Sequence, residues 1–156
     1  MIGYLNEIPP NSILTILAAV TILMSCDYGP RTGAELSQAD RDHIKGLALL
    51  DEGENIILFD RQSDFKTSGN FITDKRLASY WIDKRDETQT SVDFGLYSEI
   101  DTILTKDLSR ALTYASYLEV VKNDGKAFKV YVDGDSTEVR TFFDRAISEW
   151  RVKSNR

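Results

Sequence analysis

Near its end the chain carries Val139, Phe142, Phe143, Ala146, Ile147 and Trp150, spaced at i, i+3, i+4, i+7, i+8 and i+11. That spacing gathers the large apolar groups onto one stripe of an α-helix and turns Arg140, Asp144, Arg145, Glu149 and Arg151 to water. Asp135 and Glu138, three apart, form the capping-box pair that starts it. Each large side chain buried contributes about 1.5–3 kcal/mol, so a stripe this wide must dock on something. What precedes the helix decides the partner.

What precedes it has a period of two. Apolar and alternating stretches at 55–60, 68–73, 77–82, 90–96, 100–104, 114–122 and 126–132 predict seven short antiparallel strands. In the third, Leu77, Ser79 and Trp81 share one face while Ala78, Tyr80 and Ile82 share the other. Thr73-Asp74-Lys75-Arg76 makes a tight polar turn before it. Asn123-Asp124-Gly125 is the strongest hairpin signal in the chain. Upstream, Leu36, Ala39, His43, Leu47 and Leu50 recur at threes and fours and predict a helix within 35–53, weakened by Gly46 and stopped at Asp51-Glu52-Gly53.

Strands in this order followed by one amphipathic helix resemble the pleckstrin-homology (PH) superfold. Gly69-Asn70-Phe71-Ile72-Thr73-Asp74-Lys75-Arg76-Leu77 is similar to a hairpin of bacterial PH-like and GRAM-type domains. Leu96-Tyr97-Ser98-Glu99-Ile100-Asp101-Thr102-Ile103 resembles one of their strands. Lys122-Asn123-Asp124-Gly125-Lys126-Ala127-Phe128, with the Phe142-Phe143 helix, resembles their last hairpin and capping helix. The similarity runs from about Leu47 to Arg151. It implies a mainly β fold with flanking helices (α+β): a PH-like seven-stranded antiparallel, partly open barrel over 54–152. A C-terminal α-helix caps it, and the short N-terminal helix at 35–53 precedes it.

The resemblance also implies a non-enzymatic binding or scaffold module. Eukaryotic PH domains that hold inositol phosphates use Lys and Arg on the first hairpin and third strand. Comparable positions here are Arg61, Lys66, Lys75 and Arg76, with Lys84 and Arg85 on the next loop. Paired basic side chains at a turn suit a phosphate group or an anionic membrane surface. Asp60, Asp64, Asp74, Asp83 and Asp86 lie among them and oppose that use. A protein partner offers another route, through the groove between the last strands and the helix or through an exposed sheet edge.

The first residues point to a membrane. Ile13 to Met24 is apolar except for Thr15 and Thr21 and ends at Cys26, the one cysteine. At about twelve residues it is shorter than the roughly 18–20 a spanning helix needs and has the length of a signal-peptide core. Leu23-Met24-Ser25-Cys26 resembles the lipobox of bacterial lipoproteins. That implies a signal peptide at 1–25, acylation (palmitate) of Cys26, and a turn-rich linker at 26–34. It implies a lipid-anchored protein of the cell membrane, which Asp27, similar to the inner-membrane retention signal of proteobacteria, would keep on the periplasmic face of the inner membrane. Met1 to Ser12 holds Glu7 and no basic residue, and Pro9-Pro10 interrupts it. The alternative is a buried core helix with an incidental cysteine.

Chemistry beyond binding finds little support. With 19 basic against 25 acidic residues, the net charge of −6 argues against nucleic acid, whose capture rests on neutralising phosphates. His43, the single histidine, lies among leucines and reads as a packing residue. One histidine builds no zinc site, and no serine sits in a nucleophile elbow. Asp133-x-Asp135 hints at a calcium loop but lacks the glycine and terminal glutamate at the required places. No phosphate-cradling glycine loop is present. The expectation is no catalytic residue, no metal and no cofactor.

Overall fold

The computed structural model describes residues 29–111 and 113–154. The expected signal peptide, Cys26 and Asp27 lie outside those residues. Eight strands and two α-helices follow in order: β1 (Arg31–Thr32), α1 (Gln38–Gly46), β2 (Ile56–Asp60), β3 (Ser68–Thr73), β4 (Arg76–Trp81), β5 (Ser91–Leu96), β6 (Ile100–Lys106), β7 (Ser116–Lys122), β8 (Ala127–Val132) and α2 (Ser136–Lys153). Each of the seven expected strands is present to within two residues.

The expected single seven-stranded barrel is not what they build. The strands form two open antiparallel sheets, β1-β2-β3-β4-β5 and β6-β7-β8. The additional strand is β1, which pairs Arg31 with Phe59 and Thr32 with Leu58. Two paired residues carry no period, so alternation could not reveal it. The stretch expected as a linker is therefore tied to the sheet from Arg31 onward.

Local chemistry sets the turns. Ile72 pairs with Leu77 across the Asp74-Lys75 turn. Gly125 takes φ 81° in the β7–β8 turn, a left-handed conformation that favours glycine. Gly69 lies opposite Tyr80, where a Cβ would fall 2.3 Å from the tyrosine ring. At the corner between the sheets, buried Tyr97 donates its hydroxyl to Thr73 O at 2.7 Å.

Two apolar cores result, one on each face of the five-stranded sheet. The inner core lies between the sheets and under α2, joining Ile72 and Leu77 to Leu118, Val120, Val130 and Val132 and to Val139, Phe142, Phe143 and Ala146 of the helix. The predicted stripe is thus the buried one. Trp150 Nε1 donates to Ile100 O at 3.1 Å and seats the helix's last turns. Asp135 caps the helix by accepting from Thr137 and Glu138 N–H at 2.7 and 2.9 Å.

The outer core places Phe59, Phe71, Ala78 and Tyr80 beneath Leu36, Ile44, Leu49 and Leu50. Its cover is not the single helix expected over 35–53. α1 ends at Gly46, Leu47 N–H bonds to His43 O, and Ala48 takes φ 58°. In a continued helix Leu49 would sit about 140° around from Ile44; the turn at Ala48 brings both to the sheet. Ala39, expected on the apolar face, is exposed, and Ile44 is the fully buried residue.

Candidate functional site

The inner face of the five-stranded sheet is apolar for only part of its length. Cross-strand rows run Ile72–Leu77–Gly95, then Asn70–Ser79–Asp93, then Ser68–Trp81–Ser91. The first row joins the core under α2. The others are polar apart from Trp81, which is 42% exposed. β8 crosses this face obliquely. Its Phe128 ring lies against Gly95, Tyr131 N–H donates to Asn70 Oδ1 at 2.8 Å, and Asp133 N–H donates to Asp60 Oδ2 at 2.9 Å.

Beyond that crossing the polar rows and the outward face of β7 and β8, opposite the side that carries Leu118, Val120 and Val130 into the core, border a cleft of about 520 Å³, within the usual range for a ligand site. Its floor is Asn70, Ser79, Trp81, Ser91 and Asp93; its wall is Glu119, Ala127, Lys129 and Tyr131. Asn70 is rigidly held, because the Ser79 hydroxyl also donates to its Oδ1 at 3.0 Å. Among the described residues neither Asp93 nor Glu119 forms an ion pair. The Lys129 ammonium is drawn over the Tyr117 ring, 4.3 Å from its centre. The cleft therefore favours hydrogen-bond donors and cations over phosphate.

The six basic positions named from the sequence do not come together. Arg61 and Lys66 lie in the β2–β3 loop, and Lys84 and Arg85 in the β4–β5 loop. These loops share one end of the sheet, joined by Ile82 N–H to Thr67 O at 2.7 Å. Asp64, Asp83, Asp86 and Glu87 are interleaved with the four cations. Asp83 accepts from Arg85 and Asp86 N–H, which holds its carboxyl below the ordinary range. Lys75, in the β3–β4 turn, and Arg76, the first residue of β4, are at the opposite end.

Arg76 is occupied as well as displaced. Its guanidinium, 4% exposed, grips fully buried Glu54 with two bonds of 3.0 and 2.8 Å and reaches Asp51 at 2.5 Å. Thr73 donates its hydroxyl to the same Glu54 carboxylate, and the Phe94 ring lies beneath the guanidinium, 4.9 Å away. Every charge in this group has a partner, so it is a clamp between the 51–54 turn and the β3–β4 hairpin. The sequence cue was Glu54 next to an apolar strand start, which reads as an ordinary turn residue.

The remaining candidates are structural. Burial pushes the Asp60 carboxyl up to about 7 against the pull of the Asp133 N–H bond; Asp133 and Glu138 add repulsion. Asp133 and Asp135 of the suspected calcium loop serve β2 and the helix cap respectively. Among the described residues no group of three metal-ligating side chains converges, and no helix is long and apolar enough to cross a membrane. His43 packs against Phe65 and Tyr80 with ring centres 5.8 and 5.7 Å away, on the face of the sheet opposite the cleft.

No family model and no curated protein matches the chain. Among solved structures it is similar to a DUF1696 family protein with a pleckstrin-homology domain from Shewanella loihica PV-4. That match has 13% identity and a TM-score of 0.47 and covers 70% of this chain and 91% of that one. It is also similar to the Vps36 N-terminal PH domain, at 18% identity and a TM-score of 0.44, covering 69% of this chain and 87% of that one.

Proposed function

We propose that this protein is a lipid-anchored, PH-like binding module of the bacterial envelope, without catalytic activity, that receives its ligand in the cleft beside β8. The observation that carries this reading is the pair of polar rows, Asn70–Ser79–Asp93 and Ser68–Trp81–Ser91, on a face that would otherwise continue the core. Two sheets packed crosswise and closed by a C-terminal helix support the PH-like reading. Leu23-Met24-Ser25-Cys26 supports the anchor. His43, packed among aromatic rings away from the cleft, fits a module that binds and does not catalyse.

Anionic lipid is the weaker ligand. The loops that carry Arg61, Lys66, Lys84 and Arg85 hold as many carboxylates as cations, and Arg76 is held by Glu54. The protein from Asp27 onward is expected to stay in the supernatant with acidic liposomes, and Lys84→Glu with Arg85→Glu to change nothing. Salt-sensitive sedimentation abolished by that pair would reverse the ranking. Mass spectrometry of the native N-terminus tests the anchor: a diacylated Cys26 is expected, and a chain that retains Met1 removes the membrane from the proposal.

A further inference from the structure

Building on the cleft as the ligand site, we propose that β8 is an acceptor edge there, and that the occupant is an extended basic segment of a partner protein added as a strand. The argument begins with parity. Lys122 N–H bonds to Lys126 O, and the β7–β8 register pairs Val120 with Phe128 and Leu118 with Val130. Even-numbered residues of β8 therefore exchange main-chain bonds with β7. Odd-numbered residues face the other way, as the Tyr131 and Asp133 N–H groups show by reaching Asn70 and Asp60.

Among the described residues β8 ends its sheet, and no strand of theirs meets the outward groups of Ala127 and Lys129. Both residues line the cleft. Two N–H and two C=O groups thus point into it in the regular spacing of a ladder. The ladder is bounded on one side by the β7–β8 turn and on the other by Tyr131, whose N–H is already taken.

A free edge is ordinarily guarded by a lysine that keeps strands away. Here the guard is withdrawn, with Lys129 Nζ over the Tyr117 ring. The occupant is a single strand and not a second copy of this chain. Asn70 and Asp60 close the edge from Tyr131 onward, and the two residues left open are too few for the ladder that joins two whole sheets. Its charge follows from Asp93 and Glu119, the unpaired carboxylates on floor and wall. A strand supplies main-chain bonds for affinity and alternate side chains for choice; Lys or Arg at the positions facing Asp93 and Glu119 completes the match.

The test uses the full chain in detergent micelles and a labelled Thr-Lys-Val-Lys-Thr peptide, with anisotropy to measure binding and hydrogen exchange to locate it. Saturable binding is expected, with slowed exchange at Ala127 and Lys129. Two versions of the peptide, N-methylated at complementary alternate positions, separate strand addition from any other mode. One pattern should weaken binding about tenfold or more and the other should spare it, because a paired strand turns every second N–H to its neighbour. Replacing both lysines by glutamate should weaken it comparably. Lys129→Pro removes an edge N–H that β7 does not use and should reproduce the loss.

Equal binding of both methylated peptides, with protection still in the cleft, overturns strand addition and leaves the cleft as the ligand site. Protection confined to another surface overturns both. Absence of saturable binding into the millimolar range overturns the inference alone. The peptide comparisons use the unaltered protein, so they decide between these outcomes even if Lys129→Pro fails to fold.

Discussion

Arg76 and Glu54 are the charged pair on which the β3–β4 hairpin is most exposed to mutation. Both side chains are almost wholly out of water, so removing either strands a charge in the interior. Glu54→Ala is expected to cost about 3–5 kcal/mol in urea unfolding, whereas Glu54→Leu combined with Arg76→Met should be near neutral. A loss below about 1 kcal/mol for the single variant would mean that water reaches the clamp. Asp60 shows the opposite arrangement, a buried carboxyl with main-chain donors and no cation. Its folded-state pKa, about 7, lies above the ordinary 3.8, so the folded chain holds the proton more tightly than the unfolded one. Its contribution to stability is therefore greatest at low pH and falls as pH rises through that window, by on the order of a few kcal/mol. Asp60→Asn keeps an acceptor for Asp133 N–H and should flatten the pH dependence of the melting temperature between pH 5 and 8. An unchanged slope would assign the effect to other groups.

α2 divides into two separable contributions. Phe142 is fully buried between the sheets, and Phe142→Ala should cost about 3–5 kcal/mol through lost contacts and the cavity left. Asp135→Ala removes only the cap and should cost about 1 kcal/mol. Chemical denaturation of the two variants checks the ratio, and near-equal losses would mean that the helix is held by its own end and not by the sheets. α2 was legible because its stripe and cap agree; β4 and β5 were legible because they alternate, and β2 because it is a short continuous apolar run. α1 was not, since Leu47, Leu49 and Leu50 fit a helical count as well as they fit the turn at Ala48 that the packing selects. The two-residue β1 had no pattern to read. The cleft was hidden differently. Asn70, Ser79 and Asp93 look like solvent-facing strand positions until their parity with Ile72 and Leu77 is noticed, and that parity was the available signal. The six basic positions failed to converge because an antiparallel sheet sends alternate turns to opposite ends, a consequence of connectivity that charge spacing along a chain does not encode.

At the scale of the molecule, the five-stranded sheet is covered on both faces. Among the described residues Phe59, Phe71 and Tyr80 are roofed by the segment that contains Leu36, Ile44, Leu49 and Leu50, with Phe65 at one side. A chain begun at residue 54, the start of the expected PH-like domain, would bare these rings. It is expected to bind a hydrophobic dye and to lose its cooperative thermal transition; a soluble, cooperatively melting truncation would show that the outer core is dispensable. The continuous apolar run of β2 is what such double coverage looks like in sequence.

Because Arg31 is already woven into the sheet, only five peptide steps separate it from Cys26, a span of about 18 Å at full stretch. Were Cys26 acylated, a domain moored so tightly would have no stalk on which to roam. If Cys26 sits in a bilayer, the β1 margin of the fold rides against the headgroups, and any ligand must be one that comes to the membrane surface to be met.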